Sequence, residues 1–187
     1  MGVPPSSVTL TGARVVLRPF RSEDAADVAE SCRDPDIPRY TLMPEGLTED
    51  GAREWIARRG AAWAHGLCSF AITLESEERC VGQVGVGLDE ALRRAETFYW
   101  VDRRWRGRGL AAEALDLVTR WAFAEHGALR AHLVTHPDNL ASQRVAQRGG
   151  YRREGVLRAW MPIKDQQPDV VMWSRLASDP PPLLEPG

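Results

Sequence analysis

Arginine and glycine are concentrated in one short segment, residues 103–109, which reads Arg-Arg-Trp-Arg-Gly-Arg-Gly. Apolar patterning predicts a buried strand before this segment and an amphipathic helix after it. The first turn of a helix leaves N–H groups without internal partners, and these groups together with the helix dipole attract anions. Glycines allow the backbone to approach such a ligand closely. The segment therefore predicts a pyrophosphate site, to which the side chains of Arg104, Arg106 and Arg108 can add contacts.

Three other interpretations of this segment are open. A solvated surface turn explains the arginines but not their position between a strand and a helix. A nucleic-acid site predicts basic and aromatic residues over a whole face, whereas this chain has a net charge of −2 and one local cluster. Residues 107–112 also satisfy G-x-G-x-x-A, the dinucleotide-binding pattern of NAD(P)-dependent oxidoreductases. That pattern expects an acidic residue at the end of the next strand, where this sequence has Thr135.

The elements that position the segment form a mixed pattern of strands and helices. Short connections predict an antiparallel meander of the strands between 69 and 101, followed by one strand–helix–strand crossover. The fold class is therefore α+β, with a mixed, mostly antiparallel sheet of about seven strands and about four helices. The predicted strands are 8–18, 69–74, 81–88, 96–101, 131–135, 151–157 and 170–176, and the predicted helices are 22–32, 48–65, 110–125 and 140–148.

Length and composition predict one domain over residues 8–177, with disordered ends at 1–7 and 178–187. The three cysteines are odd in number and widely spaced, which favours a reducing cytoplasm over a disulfide framework. No signal peptide or membrane-spanning run is predicted. His132 and His136 span a strand end and a turn, so no metal site is expected. The sequence leaves the oligomeric state open, with a homodimer among the options.

The segment from Arg104 to Gly109 matches the signature R/Q-x-x-G-x-G/A and resembles the GNAT superfamily of acetyl-CoA-dependent N-acetyltransferases. The similarity extends over about Leu10 to Leu176. It is closer to the Rim-type branch, which includes enzymes that acetylate the N-termini of ribosomal proteins. The motifs that carry this closer match are Ala95-Glu96-Thr97-Phe98-Tyr99-Trp100-Val101, Asn139-Leu140-Ala141-Ser142, Val145, Gly150-Tyr151, Glu154-Gly155, Leu157-Arg158 and Asp169-Val170-Val171.

The resemblance implies a sheet that is splayed near the cofactor, and it implies a role for each matched residue. Backbone N–H groups would bind the pyrophosphate of acetyl-CoA, the main chain of the central strand would pair with pantetheine, and one N–H there would polarise the thioester carbonyl. Asn139 would hold pantetheine by its side chain, and Ser142 would protonate the leaving thiolate. The pyrophosphate residues are Trp105, Arg106, Gly107, Arg108, Gly109, Leu110 and Ala111, and the pantetheine strand is Tyr99, Trp100 and Val101.

The implied reaction transfers acetyl directly to a primary amine, on a protein N-terminus or a small molecule, in a ternary complex without a metal. Glu96 is the candidate general base, acting through water, and a surface carboxylate is its alternative interpretation. A helix-face hydroxyl is the alternative for Ser142. Phe98 stands where a small residue is common, which predicts a narrower cleft, and Met161 stands where some members carry a carboxylate. A non-catalytic acyl-CoA-binding module is the alternative function.

Overall fold

The fold is built on one twisted sheet, seen in a computed structural model that describes residues 8–74, 77–160, 162, 164 and 166–184. Within these residues, the sheet has eight strands in the order β1-β2-β3-β4-β5-β6-β8-β7. The strands are β1 (Leu10–Thr11), β2 (Val15–Pro19), β3 (Leu67–Leu74), β4 (Glu77–Asp89), β5 (Arg94–Val101), β6 (Arg130–Thr135), β7 (Arg152–Leu157) and β8 (Val170–Leu176). The helices are α1 (Ala25–Ser31), α2 (Asp36–Tyr40), α3 (Glu49–Ala62), α4 (Leu110–His126) and α5 (Leu140–Arg148).

Helices cover both faces of the sheet because each has an apolar side to bury. Along α4, Leu115 and Val118 are fully buried in the larger hydrophobic cluster, against β3, β4 and β5. A smaller cluster lies on the opposite face, where Val28 of α1 and Trp55 of α3 pack against the sheet. The Thr48 hydroxyl caps α3 by accepting a hydrogen bond from the Gly51 N–H, as the sequence leads one to expect.

The two central strands diverge, and this divergence creates a cleft. β5 and β6 run parallel, but they pair only where Arg94, Ala95 and Glu96 lie beside residues 130–132. Beyond that point β5 pairs with β4 alone, and β6 pairs with β8 alone. The facing edges of 97–101 and 133–135 are therefore not paired with each other. The apex of the cleft lies at Glu96, and its mouth lies between the segments that follow β5 and β6.

The predicted α+β class, the antiparallel meander and the crossover are confirmed. The structure has one strand more than predicted because the segment 8–18 turns at Gly12, whose N–H donates to the Val15 carbonyl at 2.9 Å. It has one helix more because α2 forms where a loop was expected. The predicted disordered end 1–7 and the substitution at Met161 lie outside the described residues. After β8, Asp179 accepts a hydrogen bond from the Leu176 N–H at 2.8 Å.

Candidate functional site

The segment that follows β5 presents a row of unpaired backbone donors at the mouth of the cleft. Gly107 and Gly109 have positive φ angles of 78° and 75°, which glycine adopts without steric cost. Gly109 precedes the first residue of α4, and the first helical bond runs from the Glu113 N–H to its carbonyl. Among the described residues, the N–H groups from 107 to 112 donate no hydrogen bond. This is the local geometry of an anion site.

Arg14 anchors the same segment from the start of β2. Its guanidinium donates to the Arg108 carbonyl at 3.1 Å and pairs with the Glu113 carboxylate at 2.7 Å. A side chain at Gly109 would come within 3.0 Å of that guanidinium. Glycine is therefore favoured at 109 by its backbone angle, and a larger residue would also require the Arg14 guanidinium to shift.

Asp102 organises the turn that precedes the glycines. Its carboxylate accepts the Arg104 N–H at 2.8 Å and receives the Arg104 guanidinium through two further bonds of 2.9 and 2.6 Å. The buried Ser31 hydroxyl donates to the same carboxylate at 3.0 Å. Burial by itself would raise the pKa of Asp102, but the hydrogen bonds from Arg104 and Ser31 outweigh it and lower the pKa to about 2.

Asp102 is expected to make the stability of the protein sensitive to acid. Its folded-state pKa lies below its ordinary value, so its contribution is complete above about pH 4 and is lost as the pH falls towards 2. The shift corresponds to about 2 kcal/mol of unfolding free energy. Asp102→Asn should remove this component between pH 4 and 2, as measured by denaturant unfolding at each pH. Asp50→Asn, at an exposed position of α3, is the control, and equal pH slopes for both variants would contradict the assignment.

Two arginines predicted to contact phosphate are paired with carboxylates instead. Arg104 is held by Asp102, as described above. Arg106 donates to the Val101 carbonyl at 3.0 Å and forms ion pairs with Asp34 at 2.6 Å and Asp36 at 3.3 Å. These two side chains therefore stabilise the conformation of the segment instead of projecting towards a ligand. Arg108 stacks on the Trp105 ring at 4.7 Å and, of the three, is the one without a carboxylate partner among the described residues.

Helix α2 contacts both walls of the cleft. On the β5 side, Asp36 and the adjacent Asp34 pair with Arg106. On the β6 side, Arg39 forms an ion pair with Asp138 at 2.9 Å, and the Tyr40 ring lies 5.7 Å from the ring of His136. The helix therefore joins the segment after β5 to the segment after β6.

Tyr99 and Ser142 meet across the cleft, one from β5 and one from the first turn of α5. The phenol oxygen lies 2.8 Å from the Ser142 Oγ and also donates towards the Ser142 carbonyl at 3.0 Å. Burial raises the pKa of Tyr99, so the phenol keeps its proton at neutral pH. Sequence reasoning assigned Tyr99 only a main-chain role and missed its phenol, because strand and helix are brought together only by the fold.

Asn139 caps α5 and thereby fixes the position of Ser142. Its Oδ1 accepts the Ser142 N–H at 3.0 Å, which is the usual role of asparagine at a helix start. Its Nδ2 group makes no hydrogen bond within the described part of the chain. Asn139 therefore retains two donors next to the cleft.

Glu96, Phe98 and Trp100 alternate with Tyr99 along β5, so their side chains project from the opposite face of the sheet. Trp100 is buried and donates its indole N–H to Gln83 at 2.7 Å. The Phe98 ring lies over Gly85 of β4, where a Cβ would come within 2.4 Å of it. The ring therefore packs on β4, and the narrowing of the cleft by Phe98 stays a prediction. Glu96 is exposed on this same face, at the apex of the cleft.

A cavity of about 350 Å³ adjoins Glu96 on this face. His132, the neighbour of Glu96 on β6, also borders it, and its Nδ1 is buried without a hydrogen-bond partner. Burial lowers the pKa of His132, which keeps the imidazole neutral at physiological pH. The residues that line the cavity are His65, Gly66, Leu67, Gly87, Leu88, Asp89, Arg94, Glu96 and His132.

The described residues include neither a cluster of metal-ligating side chains nor a helix suited to crossing a membrane. They contain no group of three or more His, Cys, Asp or Glu side chains arranged to hold a metal ion. None of their helices combines the length and the apolar character that crossing a bilayer requires. Cys32, Cys68 and Cys80 are buried free thiols, and burial raises their pKa values, with those of Cys32 and Cys68 reaching about 11.

Known proteins are similar to this chain in sequence and in fold. The acetyltransferase (GNAT) domain matches residues 14–152. The N-acetyltransferase p20 of Bacillus licheniformis is 26% identical over 170 residues, which cover 90% of this chain and 96% of that protein. The ribosomal-protein-serine acetyltransferase of Escherichia coli is 30% identical over 102 residues, covering 54% of this chain and 56% of that protein.

A solved structure extends the comparison to the bound cofactor. Mycobacterium smegmatis RimJ in complex with CoA-disulfide superposes with a TM-score of 0.81 at 26% identity, covering 93% of this chain and 90% of that one. The resemblance to the GNAT superfamily and to its Rim-type branch is thus confirmed. The chain belongs to the GNAT acetyltransferase family and is an acetyl-CoA-dependent N-acetyltransferase.

Proposed function

We propose that this enzyme transfers acetyl from acetyl-CoA to a primary amine by direct attack in a ternary complex. The observation that carries the proposal is the divergence of β5 and β6, with unpaired amides at the mouth and titratable side chains on both faces of the apex. Acetyl-CoA supplies an activated thioester when it is bound. The acceptor is a small-molecule amine or a protein N-terminus, and the Escherichia coli relative is named for a protein substrate.

The backbone donors of the glycine segment fit the diphosphate of acetyl-CoA. The N–H groups from 107 to 112 point out of the first turn of α4, where the helix dipole adds positive potential. Trp105 and Arg106 contribute less, because their N–H groups bond within the turn to Asp102 and Arg103 at 2.9 and 3.4 Å. Arg108, which is exposed and stacks on Trp105, supplies a positive charge for an outer phosphate.

The free edge of β5 fits the pantetheine arm. Tyr99 and Trp100 lie beyond the last β5–β6 pair, so their main chain can bond to a ligand as to an added strand. The Val101 carbonyl is less available because Arg106 already donates to it. The Nδ2 donors of Asn139 would bind the arm from the opposite wall.

Ser142 and Glu96 are assigned the two proton transfers. The acceptor nitrogen forms a bond to the acyl carbon as the carbon–sulfur bond breaks. The proton of the nitrogen passes through water to Glu96, and the sulfur receives the Ser142 hydroxyl proton, which Tyr99 can replace. Ser142 and Glu96 approach the thioester from opposite faces of the sheet. Ser142 contacts the side chain of Tyr99, and the side chains of Tyr99 and Glu96 project from opposite faces of β5.

Glu96→Gln tests the assignment of the base. We expect kcat/KM to fall about 100-fold at neutral pH, because general acid–base catalysis contributes about 10²- to 10⁴-fold. Release of thiol from acetyl-CoA with an amine panel measures the rate, and calorimetry measures acetyl-CoA binding, which should not change. Glu125→Gln, on the exposed side of α4, is the control.

Three outcomes separate the possibilities. An unchanged kcat/KM in Glu96→Gln would assign the base elsewhere. Acetyl-CoA binding without thiol release for every amine would indicate a binding module rather than an enzyme. A protein that neither binds acetyl-CoA nor releases thiol would overturn the proposal as a whole.

A further inference from the structure

Two opposite charges without ion-pair partners border the cavity beside the apex. Arg94 and Glu96 are separated by one residue on β5, so their side chains project from the same face of the sheet. Neither side chain forms an ion pair or a hydrogen bond with another described residue, whereas Arg130 on the adjacent strand is paired with Glu154 at 2.5 Å. Because Arg94 and Glu96 pair neither with each other nor with another described side chain, both charges are available to bind a ligand.

The rest of the lining adds one further carboxylate, that of Asp89, and no further permanent cation. Gly66 and Gly87 contribute no side chains, and a Cβ at Gly87 would find no atom closer than 3.8 Å. The Asp89 carboxylate accepts the Leu92 N–H at 2.9 Å and so closes its own turn. Arg94 is the one arginine or lysine among the residues that line the cavity, and the histidines there are not permanent cations.

We infer that this cavity receives the acceptor, and that the acceptor is a small amine which also carries a carboxylate. The inference rests on the proposed function, in which Glu96 removes a proton from the attacking nitrogen. The amine then lies at Glu96, at the apex of the cleft, and the carboxylate lies at Arg94, farther from the thioester. A guanidinium recognises a carboxylate through charge-assisted hydrogen bonds.

Charge favours such a molecule over a protein N-terminus. The open cavity of about 350 Å³ is large enough for a small amine. The first residue of a protein has its carboxyl group in an amide bond, so it would leave Arg94 without a partner. An ammonium and a carboxylate a few bonds apart complement both charges.

The test compares amines that differ only in the distal group. The acceptors are ω-amino acids from glycine to 4-aminobutanoate, each with its amide, and a short peptide with a free N-terminus. We expect kcat/KM of the wild-type enzyme to be about 10- to 100-fold higher for the best acid than for its amide. In Arg94→Gln, KM for the acid should rise by about the same factor, with the amide changed less than about threefold, and Arg94→Lys should keep part of the preference.

Arg148→Gln, at the exposed end of α5, is the control for the loss of one surface charge. Equal rates for acids and amides, a peptide used faster than every acid, or an unchanged preference in Arg94→Gln would each overturn the inference while the proposed function stands. Inert acids in the presence of normal acetyl-CoA binding would overturn it as well. Failure of the proposed function is recognised separately, by absent acetyl-CoA binding together with absent thiol release for all acceptors.

Discussion

Gly107→Asp is expected to weaken acetyl-CoA binding by about 100-fold or more. Gly107 has a φ of 78°, and a Cβ there would meet no atom within 4 Å, so a short side chain fits sterically. Aspartate tolerates this backbone region better than most residues. Its carboxylate would lie beside the unpaired N–H groups, compensate their charge and repel the diphosphate. Two like charges about 5 Å apart at an effective dielectric constant near 20 cost about 3 kcal/mol, which corresponds to that factor.

Gly107→Asn separates charge from bulk, because asparagine has the same shape and a similar tolerance for this backbone region. We expect its acetyl-CoA Kd, measured by calorimetry, to rise less than about tenfold. Gly127→Ala, with a positive φ of 62° at the other end of α4, controls for backbone strain and should bind normally. Equal Kd values for the Asp and Asn variants would show that the segment does not bind an anion.

Ser142→Ala is expected to lower kcat about 100-fold and leave the Kd for acetyl-CoA within about threefold. A general acid that protonates the leaving group contributes about 10²- to 10⁴-fold. The Ser142 hydroxyl is a strong candidate for this role because it is held 2.8 Å from a phenol that can return a proton to it. Stopped-flow or steady-state release of thiol measures the effect, and thermal unfolding checks that α5 remains folded.

Tyr99→Phe should have a smaller effect, about tenfold on kcat, because the phenol orients and reprotonates the serine without contacting the thiol. Its ring stays in place, so packing against the larger hydrophobic cluster is retained. The reverse order of effects, a nearly normal Ser142→Ala and an inactive Tyr99→Phe, would make the phenol itself the acid.

Periodic segments with clear end signals were predictable almost to the residue. The bounds of α5 agree with the sequence prediction because Asn139 caps one end and Gly149 follows the other. The predicted bounds of β8 also agree. The glycine segment was placed correctly at the start of α4, since its composition and its position between strand and helix both indicate the same geometry.

Helix α2 was missed because its prolines were interpreted as breakers. Pro35 caps the helix and Pro38 lies within its first turn, where no N–H of the backbone has an intrahelical acceptor and proline is tolerated. The strand predicted at 8–18 was divided for a similar reason, because the turn at Gly12 interrupts an otherwise continuous apolar pattern.

The partners of the side chains in the site could not be predicted from local sequence. Arg106 binds Asp34, which is separated from it by most of the first half of the chain, and Tyr99 binds Ser142 from another element. Such pairings depend on topology and not on spacing. Consequently, the arginine-rich composition gave no way to distinguish the two carboxylate-paired arginines from the exposed Arg108.

The contacts of α2 couple two segments of the acyl-donor cleft that would otherwise vary independently. The same short helix reaches Arg106 beside the diphosphate segment and Asp138 beside Asn139. A substitution that displaces α2 would therefore shift both sides of the cleft together. In relatives that keep this helix, positions 106 and 138 are expected to vary together with α2.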